Sequence, residues 1–145
     1  MSSINNKIDI LGYYLSPLAR LFIAIIFLMS GLNKIGNYEN TAYWMEAVGV
    51  PSLFLPIVIA LEIVGGLAII LGWKARIFSF LLAGFCVLSA IVFHSNFADQ
   101  NEMINFMKNI AIAGGFLTIT INGAGALSLD NKFNYKSWMH IPTLL

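Results

Sequence analysis

Charge is scarce in this chain. Asp, Glu, Lys and Arg make up 10% of its 145 residues, where a soluble domain carries about 25%, so there is too little charge to wet a globular surface. The net charge of +1 sets up no basic field for nucleic acid. Neither a Gly-rich phosphate loop nor a basic–aromatic stripe is present. The single cysteine, Cys86, excludes an internal disulfide, a CxxC redox pair and a thiolate metal cluster. It lies in an apolar run, where a buried thiol is inert. No repeat of about 20–50 residues and no low-complexity tract marks a solenoid or a linker.

What the chain has in excess is apolar surface. Hydrophobic residues make up 59% of it and the mean hydropathy is +0.81, the signature of an integral membrane protein with room for one domain over residues 1–145. Four apolar runs stand out, at about 17–34, 53–72, 76–95 and 105–127. Each is near the ~20 residues a helix needs to cross a bilayer. Backbone amides in lipid must be satisfied within the segment, so runs of this length are helices rather than open strands. The expected fold is all-α: a polytopic, antiparallel bundle of four transmembrane helices. The first run reads as a retained span. It is too long for a signal peptide, only Lys7 and Asp9 precede it as charges, and no small-x-small site follows.

The connections suit such a bundle. Gly72, Trp73, Lys74 and Ala75 make a tight turn between the second and third runs. The first connection is longer, and Tyr43, Trp44, Ala47 and Val48 recur in it at helical spacing, as in a short interfacial helix. Gly49 is placed to end that helix and Pro51 to begin the next. The third connection, "NFADQNEMIN", is polar, and the tail from Asp130 is short, with Trp138 as a candidate interfacial anchor. Lys7, Lys74, Arg76, Lys132 and Lys136 share one side of the threading. Lys34 and Lys108 lie on the other beside Glu39, Glu46, Asp99 and Glu102. The positive-inside rule therefore puts both termini in the cytoplasm.

Ionisable groups at membrane depth cost about 2.5–3.5 kcal/mol on insertion scales and usually face a bundle interior with a partner. Glu62 is the sharpest case, in the middle of "IVIALEIVGGLAIILGW". It is either protonated or paired with a cation from another helix. Arg20 is one candidate partner; Lys34, Lys108 and His94 are the others. Antiparallel threading collects Asn33, Lys34, His94, Lys108 and Asn109 in one outer layer. Lys34, Lys108 and Arg20 also have a plainer reading, as side chains that snorkel to the interface. Gly65 and Gly66 follow Glu62 at i+3 and i+4 and thin the same face, with Gly31, Gly114 and Gly115 as matching thin places on other helices. No metal-ligating set is visible.

Taken in order, these elements resemble the DoxX family of small four-helix membrane proteins. The matching stretches are Arg20 with "SGLNK" (Ser30 to Lys34), "VGVP" (Val48 to Pro51) and "LEIVGGLAIILGWKAR" (Leu61 to Arg76). His94 and "KNIAIAGG" (Lys108 to Gly115) complete the set. The resemblance implies a four-span bundle in a bacterial inner membrane. Some such proteins are linked to quinone-coupled oxidation of sulfur compounds and others to membrane-bound redox and thiol-stress assemblies, while many have no assigned activity. It carries Arg20, Lys34, Glu62, His94, Lys108 and Asn109 over as site residues. The chain has no haem, flavin or iron–sulfur signature and no complete catalytic motif, so whether it is an enzyme stays open. The leading expectation is a redox-associated membrane subunit that binds a quinone or similar lipophilic molecule and works with a soluble or membrane redox enzyme. The alternatives are a non-catalytic anchor for soluble redox enzymes, or a small-solute or proton-coupled transporter acting as a homodimer.

Overall fold

The computed structural model describes residues 2–138, with side chains from residue 10 to residue 133. Every regular element in that range is helical: α1 (Ser2–Gly36), α2 (Tyr38–Ala47), a 3-10 turn (Ser52–Phe54), α3 (Leu55–Leu71), α4 (Ala75–Phe93), α5 (Gln100–Asn122) and α6 (Leu129–Trp138). Four stretches are long and apolar enough to cross a membrane: Ile10–Gly36, Ser52–Leu71, Ala75–Phe93 and Gln100–Asn122. The chain is therefore an all-α, polytopic membrane protein, and lipid is its solvent on the outward faces. Phe22, Ile57, Phe80, Leu88, Met107 and Ile121 are exposed there.

Some boundaries differ from the sequence reading. The fourth span starts at Gln100 rather than 105, because the Asp99 carboxylate accepts a hydrogen bond from the Asn101 N–H at 2.8 Å and caps the helix early. It stops at Asn122 rather than 127, where Gly123 and Gly125 take positive φ. Pro51 opens the 3-10 turn, and α3 itself begins at Leu55 with a proline in its first turn. The tail also forms a helix, α6, which its short polar sequence did not suggest. The Trp138 side chain lies outside the described residues.

The bundle is built from two close pairs. α1 packs along α3 and α4 along α5, with a smaller α3–α4 contact joining them. On α1, Arg20, Ala24, Phe27 and Gly31 are all buried, at the i, i+4, i+7, i+11 spacing of one helix face. Glycines set the approach. A Cβ on Gly66 would lie 3.3 Å from the Leu28 backbone nitrogen, and one on Gly31 would lie 2.7 Å from Ile63 Cγ1. Gly65 receives Leu82 of α4, and Gly115 receives Ile23 of α1. Gly114 is a correction: nothing lies within 4 Å of where its Cβ would be. Successive helical residues are turned by about 100°: on α3 that aims Gly65 and Gly66 at two different helices, whereas on α5 Gly115 meets α1 and Gly114 meets none of the described residues. Between the pairs, Phe27 meets Phe116 edge to face at 5.3 Å, above Leu82 and Cys86.

The two ends of the bundle close differently. At the end carrying the chain termini, Gly72 turns left-handed at φ 68. The Trp73 N–H then reaches the Ala68 carbonyl at 2.8 Å and the Gly72 N–H reaches that of Ile69 at 3.1 Å, which terminates α3. Asp130 of α6 accepts hydrogen bonds from the Lys74 and Ala75 N–H groups at 2.7 and 2.9 Å, capping the start of α4. At the opposite end α2 reaches α4, with Met45 buried and the Trp44 ring 4.8 Å from that of Phe93.

Candidate functional site

Glu62 stands halfway along α3 and is 2% exposed. Its partner is Lys34: the ammonium donates to Glu62 Oε1 at 2.9 Å and to Ser30 Oγ at 2.6 Å. The Ser30 hydroxyl donates to the same Oε1 at 3.1 Å. Ser30 and Lys34 sit at i and i+4 on one face of α1, so a single helical turn presents both donors to α3. Of the four candidate cations, one helix end supplies the match. The other carboxylate oxygen, Oε2, is buried and has no hydrogen-bond partner among the described residues.

That oxygen belongs to a residue lining a cavity of about 470 Å³. The cavity lies in the seam between the α1–α3 and α4–α5 pairs, with Trp44 and Met45 of α2 as part of its lining. Ile26, Phe27, Val58, Phe85, Phe93 and Ile112 give it apolar and aromatic walls, and Ser89, His94, Asn105, Lys108 and Asn109 add polar groups. A mostly apolar cleft of this size with a few convergent polar groups is the usual form of a small-molecule site.

The expected outer layer is only partly assembled. His94 closes α4 and lines the cavity, and its Nδ1 lies 2.6 Å from Glu102 Oε2. Glu102 was not among the residues singled out from sequence, where it read as one charge in a polar connection. The missed signal was Asp99, whose capping starts α5 early enough to set Glu102 beside the end of α4. Lys108 and Asn109 line the cavity, but among the described residues each bonds within α5, to the Asn105 side chain at 3.4 Å and its carbonyl at 3.1 Å. Asn33 does not join them. It is exposed, and its Oδ1 accepts from the Asn37 side chain at 2.9 Å.

Arg20 is a second correction. It is buried, yet it is spent at the other end of the molecule, donating to the carbonyls of Ala124, of Leu127 at 2.7 Å and of Ile70 at 3.5 Å. Ser16 Oγ donates to the Ala124 carbonyl as well, at 2.8 Å. Helix ends leave carbonyls without intrahelical partners, and a guanidinium offers five donors to fill them. Arg20 therefore locks the segment after α5 onto α1 and α3. Among the described residues, no group of three or more His, Cys, Asp or Glu comes together that could hold a metal ion.

Comparison with known proteins agrees with this architecture. The DoxX family profile matches residues 16–95. Inner membrane protein YqjF of Escherichia coli (strain K12) is 48% identical over 120 residues, covering 83% of this chain and 92% of that protein. Inner membrane protein YphA of the same organism is 33% identical over 122 residues, 79% of this chain and 87% of the relative. A shorter match, 33% over 66 residues, joins 46% of this chain to 49% of CatD of Bacillus subtilis (strain 168), provisionally named an oxidoreductase. No solved structure matches. On the strength of the profile match and the near full-length relatives, this chain belongs to the DoxX family of integral membrane proteins.

Proposed function

We propose that the chain is a redox-associated subunit of a bacterial inner membrane that binds a quinone-class molecule, or a similar lipophilic ring, in the seam cavity. One observation carries the reading: a cavity of about 470 Å³ with aromatic and aliphatic walls that has a buried ion pair and a histidine–carboxylate pair among its lining groups and their neighbours. Phe85, Phe93 and Trp44 suit a flat ring, while Lys34, Lys108 and Asn109 offer donors to ring oxygens. His94, held through Nδ1 by Glu102, has Nε2 left to exchange a proton with the ring, a common role for a positioned imidazole. Electrons pass to or from a partner enzyme, since the chain has no cofactor motif of its own; the name of CatD supports a redox setting. The lysines and arginine on the terminus-bearing side favour cytoplasmic termini, which places the cavity toward the outer leaflet.

The test fills the cavity and leaves its charges intact. Ser89 is half-buried on α4 and lines it. In purified wild-type protein, a mixture of decylubiquinone and decylubiquinol should give a saturable rise in melting temperature. Ser89→Phe should weaken that binding at least about tenfold while the unliganded melting temperature holds within about 3 °C, the shift of roughly 1 kcal/mol or less. Absence of a saturable shift in the wild type, or unchanged binding in Ser89→Phe, overturns the reading. A membrane anchor for soluble redox enzymes is the second reading, supported by the Lys34–Glu62 pair being complete on Oε1 without any ligand. It predicts co-purification of a soluble oxidoreductase that is indifferent to Ser89→Phe.

A further inference from the structure

The hydrogen bonds made to Glu62 all fall on one of its oxygens, and two of the three Lys34 N–H groups are used in this cluster. Lys34 gives its hydrogen bonds to Ser30 Oγ and Glu62 Oε1, and Ser30 gives its hydroxyl hydrogen to Oε1. Oε2 of the same ion-paired carboxylate is buried with no donor, in a residue that lines the cavity. An ionised carboxylate only accepts hydrogen bonds, and a buried acceptor left unmet costs the full desolvation of that atom. What completes this oxygen must bring an O–H or N–H of its own. A quinone ring carries carbonyl acceptors, and it would set acceptor against acceptor. The two-electron reduced ring carries hydroxyls, one to donate to Oε2 and a second whose oxygen can accept from Lys108 or Asn109 on α5.

Resting on the ring-binding reading above, we propose that the cavity selects the reduced, hydroxyl-bearing form of its ligand, through a hydrogen bond from a ring hydroxyl to Glu62 Oε2. Selection of this kind makes the bound couple easier to reduce than the free one. Each tenfold preference raises the midpoint potential of a two-electron couple by about 30 mV.

The experiment compares decylubiquinol, decylubiquinone and the dimethyl ether of decylubiquinol, under anaerobic conditions, by ligand-induced thermal shift of the full chain. The quinol should bind at least about fivefold tighter than the quinone, the discrimination expected when a buried acceptor is met rather than opposed. The dimethyl ether keeps the ring and loses both hydroxyls, so it should bind no better than the quinone. Glu62→Gln is the sharper arm. Its side-chain oxygen can keep Lys34 and Ser30, which puts the amide NH₂ where Oε2 was and should abolish or invert the preference. Equal affinities of quinol and quinone in the wild type, as a water bridging Oε2 would give, overturn this inference alone. If no ring binds saturably, the ring-binding reading falls and takes the inference with it. Should Glu62→Gln fail to accumulate, the three wild-type affinities still decide.

Discussion

The two ends of this bundle both bury charge, and they use it in opposite ways. At the terminus-bearing end, Arg20 and Asp130 are consumed by the backbone. One donates to the carbonyls of Ala124 and Leu127, and the other accepts from the N–H groups of Lys74 and Ala75. Such contacts close helix ends, although they leave Arg20 Nε buried without a partner among the described residues. At the opposite end the charges meet side chains, Lys34 with Glu62 and His94 with Glu102; Lys34, Glu62 and His94 border a cavity, and Glu62 Oε2 is unmet among the described residues. The difference separates structure from function better than burial does, since Arg20 and Glu62 are about equally hidden. What a buried charge is bonded to, backbone or side chain, and whether it borders a cavity, is the informative quantity.

Substitutions can break this comparison. The largest effect should come from Lys34→Met, which strands a buried carboxylate at a cost of about 3–5 kcal/mol and should sharply reduce accumulation in the membrane. Lys34→Met combined with Glu62→Met removes both charges and should restore accumulation without restoring ring binding. If the double variant binds rings like the wild type, the ion-paired end is merely structural. Arg20→Met comes next, at about 2–3 kcal/mol for carbonyls left unmet in a buried place. Its signature is a lower melting temperature in detergent with ring affinity per folded molecule unchanged; a matching loss of affinity would show that the two ends act as one. The smallest effects sharpen the packing side. Gly66→Ala pushes a methyl against the α1 backbone and should cost about 1–3 kcal/mol, as overpacking does. Gly114→Ala meets nothing, and the gain in helix propensity should make it neutral or stabilising by up to about 1 kcal/mol.

The features that could be read in the sequence are those written in periodicity or in rarity. The four spans follow from apolar length. Glu62 stands out because no other carboxylate interrupts an apolar run, and the buried face of α1 follows from the spacing of Arg20, Ala24, Phe27 and Gly31. What stayed hidden depends on a rotation or on the backbone. Gly114 and Gly115 are chemically identical neighbours, as Asn33 and Lys34 are adjacent polar ones, and only the packed bundle decides which of each pair turns inward. The partners of Arg20 are carbonyl oxygens, which every residue has, so no residue type announces them. Glu102 was obscured by its polar surroundings until the capping by Asp99 moved the start of α5. The identity of the cation facing Glu62 was open among four, because depth along a helix does not fix azimuth.

The sequence separations of these contacts also order events in time. Lys34 precedes Glu62 by 28 positions, so the counter-charge lies on the preceding span and leaves the ribosome before the acidic residue does. α1 and α3 carry the whole Lys34–Glu62 pair between them, so its formation requires neither α4 nor α5. Arg20 has the opposite fate. Ser16 and the Ile70 carbonyl are nearer partners, but the Ala124 and Leu127 carbonyls lie 104 and 107 residues downstream, so its set of acceptors is completed late in the chain. That clasp can close only after α5 has been made.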